Sequence, residues 1–146
     1  MPRCPDRDEC ILIDLQAHAH IATLHYLSTA SNNPPSLTSL ALSLKHFCRS
    51  VELNDGYLRG YYGLKLLTSK LNNALSDSTS KRNAQEDDDI PVPNAQTVNK
   101  LEEIATNKLA EIIRLYKSGK KAWQGYDEAE IIAARELLDR DGKAER

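Results

Sequence analysis

The chain has 146 residues, of which 40% are hydrophobic and 5% aromatic, with a net charge of −2. That length suits one domain or two very small ones around a modest core. The near-neutral balance excludes the electrostatic footprint of a nucleic-acid binder or of a ligand for acidic membrane surfaces.

The aliphatic residues are mostly Leu, Ile and Ala with few Val, which favours helix over strand. Cys4, Cys10 and Cys48 form no disulfide pattern and read as reduced thiols. The charged start, with two prolines before the short Ile11-Leu12-Ile13 run, does not make a signal peptide. No stretch approaches the ~20 apolar residues of a membrane span.

A first helix is predicted from about residue 11 to residue 30. Ile13, Ala17, Ile21, Leu24 and Leu27 recur at steps of three and four and are the expected buried stripe. Asn32-Asn33-Pro34-Pro35 breaks it. A second helix, residues 37–53, carries Leu40, Leu44, Phe47 and Val51 on one face. Asn54-Asp55-Gly56 ends it, with Gly56 able to take the left-handed conformation of a helix end. A third, from about residue 57 to residue 75, buries Leu58, Tyr61, Leu64, Leu67 and Leu71.

Residues 76–93 are rich in Ser, Asp and Pro and read as a flexible acidic linker. A long fourth helix, about 96–117, has the stripe Val98, Leu101, Ala105, Leu109, Ile112 and Tyr116, widened by Ile104 and Ile113, and stops at Ser118-Gly119. A short fifth helix starts near Asp127. There Asp127 and Glu130 resemble a capping box, and Ile131, Ala134, Leu137 and Leu138 face inward. The last residues, 139–146, are charged and expected to fray. Trp123 is expected to pin the fifth helix onto the fourth.

The expected fold is therefore all-α: a tetratricopeptide-repeat (TPR)-like α-solenoid fragment with a long C-terminal helix and a short terminal one. It divides into an N-terminal segment (1–14), TPR-like helices (15–75), the linker (76–93), C-terminal helices (94–139) and a charged tail (140–146). A TPR unit pairs two helices in about 34 residues with fixed large and small positions. Phe47 takes the aromatic position, Ser50 the small position three residues on, and Asp55 replaces the proline of the turn. Tyr61 and Leu64 stand where the next repeat wants Trp and Leu. Lys65 then falls where Gly or Ala is expected, and a shift of one residue that uses Gly63 remains open. In the first helix Ile21-Ala22 stands for the Leu-Gly pair. In this register Arg59, Tyr62, Leu66 and Ser69 project from the third helix into a concave groove, and Gln16, Thr23 and Tyr26 from the first. Tyr and Arg there are interface-like.

No catalytic constellation accompanies them. There is no nucleophile elbow, no reactive Cys context and no phosphate-binding glycine loop, so neither an enzyme nor a cofactor is expected. His18, His20 and His25 lack the spacing of metal ligands on one helix face and read as surface or packing residues.

The run Phe47-Cys48-Arg49-Ser50-Val51-Glu52-Leu53, followed by Tyr57-Leu58-Arg59-Gly60-Tyr61-Tyr62-Gly63-Leu64-Lys65-Leu66, resembles the last repeat of the subunit 2 family of the endoplasmic reticulum membrane protein complex, in its fungal form. Asn107-Lys108-Leu109-Ala110-Glu111-Ile112-Ile113-Arg114 and Trp123-Gln124-Gly125-Tyr126-Asp127-Glu128-Ala129-Glu130 are similar to that family's C-terminal region. The resemblance covers about residues 15 to 139. It implies the C-terminal portion of a non-catalytic, cytosolic scaffold shortened at its N-terminus, where family members carry further repeats and this chain has residues 1–14. It also implies a peripheral place on the cytoplasmic face of the endoplasmic reticulum. Its partners there would be other subunits of a complex that inserts tail-anchored and multi-pass membrane proteins. The competing expectation is an unrelated TPR adaptor or co-chaperone. A chaperone-tail binder, however, wants Lys and Asn where this chain has Tyr62 and Leu66.

Overall fold

The computed structural model describes residues 7–31, 35–78, 91–119 and 126–144, and these are all-helical with no strand among them. Most of the expected linker (79–90), Trp123 and the first six residues lie outside the described residues. The helices are α1 (Arg7–Ser28), α2 (Leu37–Leu53), α3 (Leu58–Ser78), α4 (Ala95–Lys117) and α5 (Glu128–Ala144), with a 3-10 turn, Thr29–Ser31, closing α1.

The helix starts follow local chemistry. The Ser36 side chain caps α2 by accepting from the Ser39 N–H, and the Asn94 side chain caps α4 by accepting from the Thr97 N–H at 2.8 Å. Asp127 accepts from the Ala129 N–H at 2.9 Å, as an N-cap should. The capping box is not completed, because Glu130 turns away to Arg59. Gly119, at φ 69°, is the left-handed residue that closes α4. Gly56 is not left-handed. It donates its N–H to the Asn54 side chain, and its carbonyl accepts the Tyr126 hydroxyl at 2.5 Å. A Cβ at position 56 would stand 3.1 Å from that hydroxyl, so close approach explains the glycine.

Helices α1 and α2 pack antiparallel. The Ser43 hydroxyl, fully buried, donates to the Ala22 carbonyl at 2.7 Å, which brings the two backbones close. Small residues permit this, and they decide which face of α1 goes inward. Leu15, Ala19, Ala22 and Thr29 are buried. The stripe expected to be buried lies outside instead: Ile13 is 57% exposed, Ile21 38%, Leu24 55% and Leu27 55%, and Ala17 is exposed too. α1 thus has two apolar faces, and the one with small side chains wins because it lets α2 approach closely.

α3 touches each of the other four helices. Its meeting with α2 is also close. A Cβ on Gly60 would lie 2.6 Å from Val51 Cγ1, and one on Gly63 would clash with the Phe47 ring at its Cε1. Gly63 is thus a point of close approach between α2 and α3. Phe47, Ser50, Tyr61 and Leu64 are all buried as expected, as are Leu67 and Leu71. Burying each such leucine contributes about 1.5–3 kcal/mol. The Ser50 hydroxyl has no partner among the described residues, a local cost of this close contact.

α3 and α4 run antiparallel, tied from Asp55–Lys108 (2.9 Å) to Asn72–Asn99 (2.9 Å). α4 buries Val98, Ala105, Leu109, Ile112 and Ile113, but Ile104 is half exposed, one position off the stripe. α5 buries Ile131, Ala134 and Leu137 and stays helical through Ala144, beyond the fraying expected from residue 139. One reason is Lys65, only 5% exposed. Its ammonium meets Asp141 at 2.7 Å and Glu102 at 3.5 Å, so α3 holds α4 and α5 through one charge.

Gly63→Ala is expected to destabilise the chain by about 1–3 kcal/mol in urea unfolding, because the Phe47 ring cannot yield the space. Gly142→Ala, with nothing within 4 Å of its Cβ, should be neutral or gain up to about 1 kcal/mol through helix propensity.

Candidate functional site

A groove of about 460 Å³ opens where α3 passes between α1 and α5. Leu58, Arg59, Tyr62, Gly63 and Leu66 of α3 form its floor. Thr23 and Tyr26 of α1 make one wall, and Glu130 and Ala133 of α5 the other. Phe47 of α2 also reaches it, and can do so because Gly63 has no side chain to cover the ring.

Five of the seven residues expected on a concave face therefore come together here: Thr23, Tyr26, Arg59, Tyr62 and Leu66. Two do not. Ser69 faces α4, its hydroxyl bonded to the Lys65 carbonyl at 3.1 Å and to Glu102 at 3.2 Å. It lies seven residues past Tyr62, about 10 Å further along α3 and beyond the groove lining. Gln16 is exposed on α1, seven residues before Thr23, which is about 10 Å of helix rise and places it outside the groove lining.

Arg59, Glu130 and Thr23 of the groove have polar partners. The Arg59 guanidinium donates to Glu130, joining floor to wall, and this bond raises the guanidinium's proton affinity still further. The Thr23 hydroxyl donates back to the Ala19 carbonyl at 2.8 Å. Lys70 lies 4.7 Å from the centre of the Tyr26 ring and donates to Thr29 at 2.6 Å, fixing the tyrosine's face. Next to the groove, burial raises the Tyr57 phenol above its ordinary value. What remains available is aromatic and aliphatic surface framed by one ion pair, the surface chemistry of an apolar or amphipathic protein segment.

The turn beside the groove is braced separately. Asp55 accepts from the Tyr61 hydroxyl and from Lys108, both at 2.9 Å, and these donors hold its carboxyl below the ordinary value despite its exposure. This is the residue read as standing for the turn proline, and it stabilises the turn by hydrogen bonds rather than by a fixed φ.

The histidines are arranged in a way the spacing along one helix did not reveal. His18 and His25 on α1 both meet His46, which comes from α2. The signal was available only as pairing between helices. Among the described residues, no group of three or more His, Cys, Asp or Glu is placed to hold a metal ion. Cys48 is half-buried, and desolvation pushes its thiol up to about 11, with Glu52 adding to the shift.

No protein-family model matches the chain, and neither a curated protein nor a solved structure does so at a significant level.

Two outcomes test this electrostatic picture. Glu130→Gln should cost no more than about 1 kcal/mol in thermal or urea unfolding, because its partner Arg59 is largely exposed and the pair frames the groove without supporting the core. Iodoacetamide at pH 8, read by peptide mass mapping, should modify exposed Cys10 well before Cys48, whose thiolate is scarce at that pH.

Proposed function

We propose that this chain is a non-catalytic helical scaffold of TPR type that works by holding segments of other proteins. The observation that carries this is the groove across α1, α3 and α5, which gathers Thr23, Tyr26, Arg59, Tyr62 and Leu66 on one concave surface. The exposed α1 stripe of Ile13, Ile21, Leu24 and Leu27 adds apolar surface outside the groove, of the kind that marks an interaction face.

The finer reading is the C-terminal portion of subunit 2 of the endoplasmic reticulum membrane protein complex, acting from the cytoplasmic face in support of membrane-protein insertion. It rests on the sequence resemblance. The packing of the most specific run is consistent with it, since each residue of Gly60-Tyr61-Tyr62-Gly63-Leu64 has a distinct place. Gly60 and Gly63 admit α2, Tyr61 braces Asp55, Tyr62 lines the groove and Leu64 fills the core. Such a run is hard to substitute piecemeal. On this reading the partners are the complex's other subunits, with no cofactor, nucleic acid or small-molecule substrate. No helix among the described residues is long and apolar enough to cross a membrane.

The test is affinity purification of the tagged full chain from detergent-solubilised microsomes. Recovery of the identified subunits of the membrane complex is expected. Tyr62→Ala should reduce that recovery about tenfold or more, the scale of a truncated interface anchor, while the circular-dichroism melt stays within about 1 kcal/mol of the parent. Binding of a chaperone C-terminal peptide without the complex would replace this reading with that of a co-chaperone.

A further inference from the structure

Three imidazoles meet on the seam between α1 and α2. His46 Nδ1 lies 2.9 Å from His18 Nδ1, and the two rings meet edge to edge with centroids 5.1 Å apart and planes inclined by 29°. His46 also lies nearly parallel to the His25 ring, with centroids 6.1 Å apart and planes inclined by 13°. His18 and His25 are two turns apart on one face of α1, and the ring from the opposing helix fills the space between them.

A nitrogen–nitrogen hydrogen bond needs one ring to donate and the other to accept. The His18–His46 contact therefore survives when both rings are neutral, and also when one of them is protonated. Once both carry protons on Nδ1, two N–H groups of like charge face each other and the bond is gone. We propose that this three-imidazole seam is an acid-sensitive latch, which fastens α1 to α2 near neutral pH and releases α1 when the rings are fully protonated. Thr23 and Tyr26 lie on the same helix, so release would also remove one wall of the groove. The latch stands on its own geometry and does not depend on what the groove binds.

The surroundings favour this behaviour. On α2, Lys45 neighbours His46 and adds positive charge, while Arg49, one turn on, is occupied by Glu52 at 3.1 Å. On α1, exposed Asp14 lies one turn before His18 on the same face, and among the described residues no carboxylate is hydrogen-bonded to the three rings. From α3, the cation at the end of α1 is Lys70, which is held by Thr29 and Tyr26. Burial and then the charges of His18, His25 and Lys45 lower the His46 pKa from its ordinary value of 6.5. A histidine depressed on folding contributes its stability above the unfolded value and loses it as pH falls through the folded one. The loss should therefore begin near pH 6.5 and deepen below it.

The full chain, with EDTA present, is unfolded in urea at a series of pH values from 8 to 5. The folded-to-unfolded ratio of the parent is expected to fall several-fold across the acidic half of that range. His46→Gln should flatten the fall, and His20→Gln, on an exposed part of α1, should leave it intact. Equal slopes in the parent and His46→Gln, or a slope abolished by His20→Gln, would overturn the proposal. If His46→Gln does not fold, imidazole NMR titration of the parent and of His18→Gln decides. His46 should titrate below the free-histidine range in the parent and move up in the variant. Titration of His46 at the free value in both would defeat the latch.

Discussion

The close contact of α2 with α3 governs the rest of the molecule. It exists because Gly60 and Gly63 present no side chains to Val51, Ser50 and Phe47. A glycine in a helix interior, as at position 63, weakens that helix by roughly 0.5–1 kcal/mol. The contact offsets this by letting a whole phenylalanine ring and a fully buried serine lie against the α3 backbone. α3 is then seated deeply enough to touch each of the other four helices. Its polar residues must be satisfied there, which Thr68 does by donating to the Leu64 carbonyl at 2.8 Å, and Lys65 by drawing carboxylates from α4 and α5.

The same contact shapes the groove. With a side chain at position 63, the Phe47 ring would be covered or displaced and the floor would lose its aromatic patch. Core and candidate site therefore share residues, and a substitution at Gly63 cannot be read as a binding defect alone. Tyr62 and Leu66 are better probes of binding, since they are only partly buried and face the open side. Arg59 is more exposed still, and its bond to Glu130 defines the groove's width by joining α3 to α5.

Where a helix has one apolar face, its buried residues could be read directly from the sequence. α2, α3 and α5 follow their stripes, and α4 departs only at Ile104. α1 could not be read in this way, because large Ile and Leu side chains outline one face and smaller Ala residues with Leu15 outline another. Hydrophobicity favours the first, but backbone approach favours the second, and approach depends on Ser43 of a different helix. The same limit hid His46, whose partners lie 28 residues away for the bonded ring. Gly56 shows a related limit. A glycine after a helix suggests positive φ, whereas here the decisive neighbour is Tyr126, from the far end of the chain. The groove was legible in five residues because register along α1 and α3 carries it. Its α5 wall, Glu130 and Ala133, was not, since nothing local tells which face of α5 meets α3.

These differences separate α1 from the rest of the fold energetically. α3 is held by glycine contacts, leucines buried on several sides and an ion pair to each of two helices. α1 is held mainly by small residues, one serine hydroxyl and the histidine seam, and near its end by Lys70. Small side chains bury little apolar area, so each turn of α1 contributes less than a turn of α3. α1 packs mostly on α2 and only lightly on α3, so its local opening would expose chiefly the α1–α2 seam. The helix whose seam titrates thus meets the rest of the fold mainly through α2, and an electrostatic change there acts first on that pairing.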